Sequence, residues 1–156
     1  MRLAMGVLLS GAVLALATGC GKSGGTTAPA TPSMNLEGTY LLTGTEAGGN
    51  KESDELIAKS PAGERTIQIT ADRMVMQKQG KDQPATYKLD TTKSPVAIDM
   101  IGKGDGKEER LYGIVKLEGN KLFLCFTASE KPEDRPKEFR TAPHEKTMIL
   151  TLTKQE

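Results

Sequence analysis

From Leu36 to the C-terminus, apolar residues recur at every second position in short runs, and turn residues separate the runs. This period constrains the fold more than any other feature of the chain. Successive side chains of a strand point to opposite faces, so alternation buries one face and leaves the other wet or differently covered. Ile67 and Ile69 oppose Thr66, Gln68 and Thr70; Met74 and Met76 share a face, as do Met148, Leu150 and Leu152. Eight runs read as strands: GTYLLTGTEAGG, RTIQIT, RMVMQKQ, ATYKLDT, VAIDMIG, RLYGIVKLE, NKLFLCFTA and KTMILTLTK. Glu118-Gly119-Asn120 marks a tight hairpin between two of them. Eight short strands with regular turn signals predict an all-β domain, either a closed up-and-down barrel or a sandwich. One segment breaks the pattern. NKESDELIAKSPAG predicts a single short helix between the first and second strands, with Ser53 as its N-cap, Asp54 and Glu55 in its first turn, and Pro61 with Gly63 stopping it. KLFLCF is apolar on both faces and must be covered on both sides, for which that helix is the candidate.

The first 35 residues have a different grammar. Met1-Arg2 is a short positive start, Leu3 to Ala17 is apolar apart from Ser10, and small or polar residues lead to Cys20. A secretory signal has this layout, and the apolar stretch is shorter than the roughly 20 residues a membrane span needs. Ala17-Thr18-Gly19-Cys20 resembles a bacterial lipobox, which places cleavage between Gly19 and Cys20 and a diacylglycerol on the Cys20 thiol. The Gly-Lys-Ser that follows is no phosphate loop, because Leu16 stands where that loop requires its first glycine. Residues 21–35, GKSGGTTAPATPSMN, are too poor in apolar side chains to repay ordering. The predicted organisation is a lipoprotein signal peptide over 1–19, an acylated Cys20 with a flexible tether over 20–35, and one domain over 36–156. A tether of that length reaches roughly 20 Å from the lipid. The implied location is the cell envelope, with outer membrane favoured because Gly21, and no aspartate, follows the cysteine.

Charge excludes one class of partner. The chain has 21 Lys+Arg and 20 Asp+Glu; removal of Arg2 with the signal leaves the two balanced. The charges are interspersed, so no basic stripe is offered to nucleic acid. There are two cysteines, and acylation of Cys20 leaves Cys125 without a partner in its own chain. Within KLFLCF, Cys125 reads as a small buried hydrophobe. His144 stands alone beside Pro143 in a loop, which argues against a histidine triad or multi-histidine metal site. GKGDGKEE (102–109) has Lys107 where a dinucleotide fingerprint needs glycine, and Glu108 where a calcium loop needs glycine; it reads as a mobile hairpin loop. No catalytic, cofactor or metal set emerges, and the expectation is a non-enzyme without cofactors.

Asp99 interrupts an apolar strand and shares a face with Ala97 and Ile101. A solvated outward carboxylate is the favoured reading, and an interior acid paired with Arg110 or Arg135 the alternative. EDRPKEF is expected to close the barrel mouth, with Arg135 in an ion pair and Phe139 capping the core. Tyr40, Asp99, Phe123, Cys125, Arg135 and Phe139 are the structural or pocket candidates.

Three ordered motifs carry a family resemblance: LDTTKSPVAIDM (89–100), LYGIVKLEGNKLFLCF (111–126) and DRPKEF (134–139). They resemble the lipocalin-like domain of unknown function abundant in planctomycetes and often lipid-anchored, over essentially Leu36 to Thr153. Tyr40 stands where that family usually has tryptophan, and Thr91 where it usually has proline. The resemblance implies a lipocalin-like up-and-down β-barrel and supplies no activity or site residues. Two functions follow as expectations. One is a membrane-tethered module that takes a small apolar ligand in the barrel or at its mouth; the other is a structural or protein-interaction module with a side-chain-filled interior. Oligomeric state is not legible.

Overall fold

The computed structural model describes residues 34–52, 54–104, 107–127, 129 and 131–156. The predicted signal peptide, Gly19, Cys20, the tether as far as Ser33, and the Ser53 cap lie outside these residues.

The alternating runs become strands β1 (Gly38–Ala47), β3 (Thr66–Ile69), β4 (Arg73–Lys78), β5 (Lys81–Asp90), β6 (Val96–Gly104), β7 (Lys107–Glu118), β8 (Lys121–Thr127) and β9 (Thr147–Lys154). A two-residue strand, β2 (Asn50–Lys51), adds to the edge of β1. Each of the eight main strands pairs antiparallel with its neighbour in chain order, and β9 returns to β1. The sheet is therefore a closed antiparallel barrel of eight strands, with β2 as an extra. Closure leaves no long unpaired edge for another chain to extend. The turns follow their glycines. Gly48-Gly49 between Ala47 and Asn50, and Gln79-Gly80 between Lys78 and Lys81, all have positive φ, as a two-residue type I′ hairpin requires.

Alternation fills the inside. Tyr40, Ile67, Ile69, Met74, Tyr87, Ile98, Met100, Val115, Leu122, Leu124 and Leu152 are buried in one core. The end where the described chain enters is sealed. Leu36 belongs to this core and Met34 packs against it, so Met34, assigned to the tether, is part of the domain's packing. Tyr87 donates its hydroxyl to the Thr70 carbonyl at 2.8 Å. Lys154 Nζ donates to the Glu37 carbonyl at 2.8 Å and sits 5.8 Å from the Tyr40 ring centre. Tyr40 has no exposed surface, and its hydroxyl has no hydrogen-bond partner, which costs about 1–3 kcal/mol against a satisfied group. Burial pushes its phenol above the ordinary 10.0.

Helical structure lies between the first and second barrel strands, but as two pieces, α1 (Asp54–Lys59) and α2 (Ala62–Arg65). Pro61 causes the division: its φ of −51° and ψ of 140° are extended, and its ring blocks a continuous helix. Gly63 lies inside α2 and does not stop the helix. β1 pairs with β3 only as far as Leu41 opposite Thr66, so the rest of β1 runs past the start of its neighbour. α2 touches both β1 and β4 there and patches the wall, while α1 lies on β1 and buries Ile57.

The helix does not cover KLFLCF. The outward side of β8 is covered by residues 131–146, a strap containing the short 3-10 turn Pro132–Asp134. Phe139 of the strap packs on a second, outer cluster of Ile114, Cys125 and Ile149. The strap lies along the outer wall and not across the mouth, and Phe139 caps this outer cluster rather than the barrel core.

Candidate functional site

The mouth is built by strand ends at the barrel end away from Met34 and Leu36. Inward residues that are deeply buried lower down become only partly covered here, and Met76 and Met148 remain 43% and 39% exposed. Inside the mouth the interior is incompletely filled. A cavity of about 180 Å³ is bounded by Met74, Met76, Met100, Leu111, Phe126 and Leu150, with Gln83, Lys103 and Glu109 also contributing to its lining. The rest of the barrel axis is occupied by the core side chains. Drug-sized ligands take pockets of about 300–1,000 Å³, so the mouth suits something smaller. An apolar cavity of about 150 Å³ suffices for a benzene-sized guest, and methionines adapt to irregular shapes.

The β6–β7 hairpin forms one side of the mouth. GKGDGKEE, expected to be a mobile loop, is largely strand: Gly102 pairs with Glu109, Lys103 with Glu108 and Gly104 with Lys107. Arg110 donates to Glu108 on its own strand at 2.9 Å, and it is not a partner of Asp99.

Asp99 faces outward, yet it is paired. Arg135 Nη2 donates to its carboxylate at 2.5 Å, and Nη1 donates to the carbonyls of Ile98 at 2.9 Å and Gly113 at 2.7 Å. The guanidinium also lies 5.5 Å from the Tyr112 ring centre. One strap side chain thus staples the backbones of β6 and β7, combining parts of both readings of Asp99: an outward acid, and an arginine partner. Phe123 also faces outward. Lys116 Nζ lies 4.6 Å from its ring centre and 5.0 Å from that of Phe139. Thr141 secures the strap's return by accepting from Gly49 N–H at 3.0 Å and donating to Glu46 at 2.8 Å. None of the six pocket candidates lines the mouth cavity. Tyr40 belongs to the sealed interior, and Asp99, Phe123, Cys125, Arg135 and Phe139 to the strap side.

Cys125 is fully covered, and its thiol donates weakly to the Glu138 carbonyl at 3.7 Å. Burial pushes the thiol from the ordinary 9.0 up to about 11. Reactive cysteines need the opposite, a depressed pKa and access. Because the folded thiol stays neutral to a higher pH than the unfolded one, its contribution to stability is intact below 9.0 and is lost as pH rises through about 11. At pH 8, iodoacetamide is expected to leave Cys125 unmodified in the folded protein and to alkylate it in urea. Peptide mass spectrometry reads the difference; equal labelling in both states would show that the strap does not protect it.

Fold and site together define an eight-stranded antiparallel barrel with a sealed end, an apolar mouth and a strapped outer wall. Against known proteins, the chain matches no family model, no curated protein and no solved structure. Among the described residues no group of three or more His, Cys, Asp or Glu side chains is placed to hold a metal, and no helix is long and apolar enough to cross a membrane.

Proposed function

We propose that this protein is a lipid-tethered lipoprotein of the cell envelope whose barrel is a non-catalytic binding module for a small apolar molecule at its mouth. The tether rests on the sequence: the charged start, the apolar stretch and the Ala-Thr-Gly-Cys junction at Cys20. Kinship to the lipocalin-like planctomycete family rests on the three ordered motifs and accords with the closed barrel.

The observation that carries the binding reading is the mouth cavity of about 180 Å³ with its methionine, leucine and phenylalanine lining. Its size selects a single ring or a short alkyl segment over a whole lipid. A barrel serving only as a structural or interaction module is the second reading, favoured by the side chains that fill the remaining interior. Native mass spectrometry of the full chain with added benzene-class or short-alkyl probes separates the two. The expected result is one probe per chain, abolished by Leu111→Trp. If no probe is retained at millimolar concentration, or Leu111→Trp binds as well as the parent, the structural reading takes its place.

A further inference from the structure

A second depression, separate from the mouth, lies on the outer wall between the strap and β5–β6. Its volume is about 540 Å³, within the range of small-molecule sites. One bank is the end of β5 and the turn that follows it, with Lys88, Asp90 and Lys93. The other bank is the strap, with Glu133, Arg135 and Lys137. The floor includes Leu89, Pro95, Ala97 and Ile114.

The charge in this groove is unevenly matched. Asp99 is engaged by Arg135. Asp90 accepts from the Thr92 backbone at 3.1 Å and from its hydroxyl at 2.5 Å, and those bonds, before the nearby Lys93 and Arg135 charges, hold its carboxyl below the ordinary carboxylate value. Glu133 is the remaining acid. Lys88, Lys93 and Lys137 are exposed, and among the described residues none of their ammonium groups makes a salt bridge or hydrogen bond. Three ammonium groups, none in a direct ion pair, line one concave surface over an apolar floor, with Lys93 near Asp90 and Lys88 opposite Asp99 across the β5–β6 pair. Concave walls of low dielectric concentrate such a field, and ammonium groups bind compact oxyanions through short charge-assisted hydrogen bonds.

We propose that this groove binds an oxyanion of the phosphate class, held by Lys88, Lys93 and Lys137, with the carrier's apolar portion against Pro95, Ala97 and Ile114. Arg135 is already committed to Asp99 and two carbonyls, and it shapes the bank without serving as the main donor. The β5–β6 turn lies at the same barrel end as Met34 and Leu36, where the described chain enters. A lipid headgroup and a free phosphate share the recognised chemistry. The headgroup source rests on the tether proposal; the anion site itself does not, and neither depends on the mouth.

The test is a titration of the full chain, purified in a zwitterionic detergent, followed by backbone amide shifts around Ala97 and Lys93. The probes are inorganic phosphate, dihexanoyl phosphatidylglycerol and, as a control, dihexanoyl phosphatidylcholine. Saturable binding of the anionic probes is expected, about tenfold or more weaker in Lys88→Gln/Lys93→Gln/Lys137→Gln and tighter by about twofold in Glu133→Gln. Thermal midpoints are measured first; if the triple variant is destabilised, Lys93→Gln alone is used. A glycerolipid preferred about tenfold over phosphate assigns a headgroup site, and equal affinity assigns a free-anion site. Absence of saturation with both anionic probes, or unchanged affinity after lysine removal in a folded variant, overturns the proposal.

Discussion

Gly113→Ala is expected to destabilise the barrel by about 2–3 kcal/mol, close to the upper range for overpacking a filled interior. Gly113 is on the inward row of β7 between Leu111 and Val115, opposite Ile98 on one side and Phe126 on the other. A Cβ at this position would meet the Cys125 carbonyl oxygen at 2.6 Å, Phe126 Cβ at 3.0 Å and Ile98 Cγ2 at 3.3 Å. The first neighbour is backbone, so no side-chain rotation relieves the contact, and β7 and β8 must separate. That movement also disturbs the Gly113 carbonyl, which accepts from Arg135 at 2.7 Å. Gly102→Ala is the control. Its added Cβ would come no nearer than 3.5 Å to Ala85 Cβ, an ordinary contact, and its expected effect is within about 0.5 kcal/mol. Urea midpoints of the two variants decide the matter. Equal effects would mean that β7 and β8 do not approach as closely as the geometry requires.

Cys20→Ala is expected to move the protein from the membrane fraction to the soluble fraction, the largest functional effect of any single substitution proposed. Burial of acyl chains contributes about 0.8 kcal/mol per CH₂, so two or three chains on one cysteine hold far more tightly than any peripheral contact of the barrel. Without the thiol the proposed diacylglycerol has no acceptor. Fractionation in salt distinguishes lipid anchoring from electrostatic adhesion through the lysine groove, because only the latter is screened. Parent protein released by salt alone, or variant retained after a salt wash, would defeat the lipid-anchor reading.

Much of the barrel was legible because its interior is aliphatic and alternating. Ile67 with Ile69, and Leu150 with Leu152, announce strands, and their inward sides supply the core or the mouth lining. Less legible were stretches in which pairing, not pattern, sets the conformation. Gly102 to Lys107 has no apolar alternation, and its strand arms follow from cross-strand partners. The doubly apolar KLFLCF run showed that both sides of β8 are covered. It could not show which segment does so, because the strap is charged and aperiodic and its placement depends on distant contacts of Arg135 and Phe139. Those two residues stood out beside Pro136 in a short motif; the Ile98 and Gly113 carbonyls that receive Arg135 have no sequence signature. The mouth was hidden for a related reason. Met74, Met76 and Leu111 look like ordinary core residues in the sequence, and only the assembled barrel shows them beside unfilled space.

The seam between β1 and β9 imposes an order of events on biosynthesis. It joins the beginning and end of the domain, as in the Thr43–Thr153 hydroxyl contact at 3.0 Å between residues 110 apart. A chain emerging from its N-terminus can form successive hairpins from β3 to β8, but the ring stays open until Thr147–Lys154 has been made. Closing so long a loop is slow relative to hairpin formation. The barrel consequently stays open until its last strand is made, a form that can be threaded through a narrow passage.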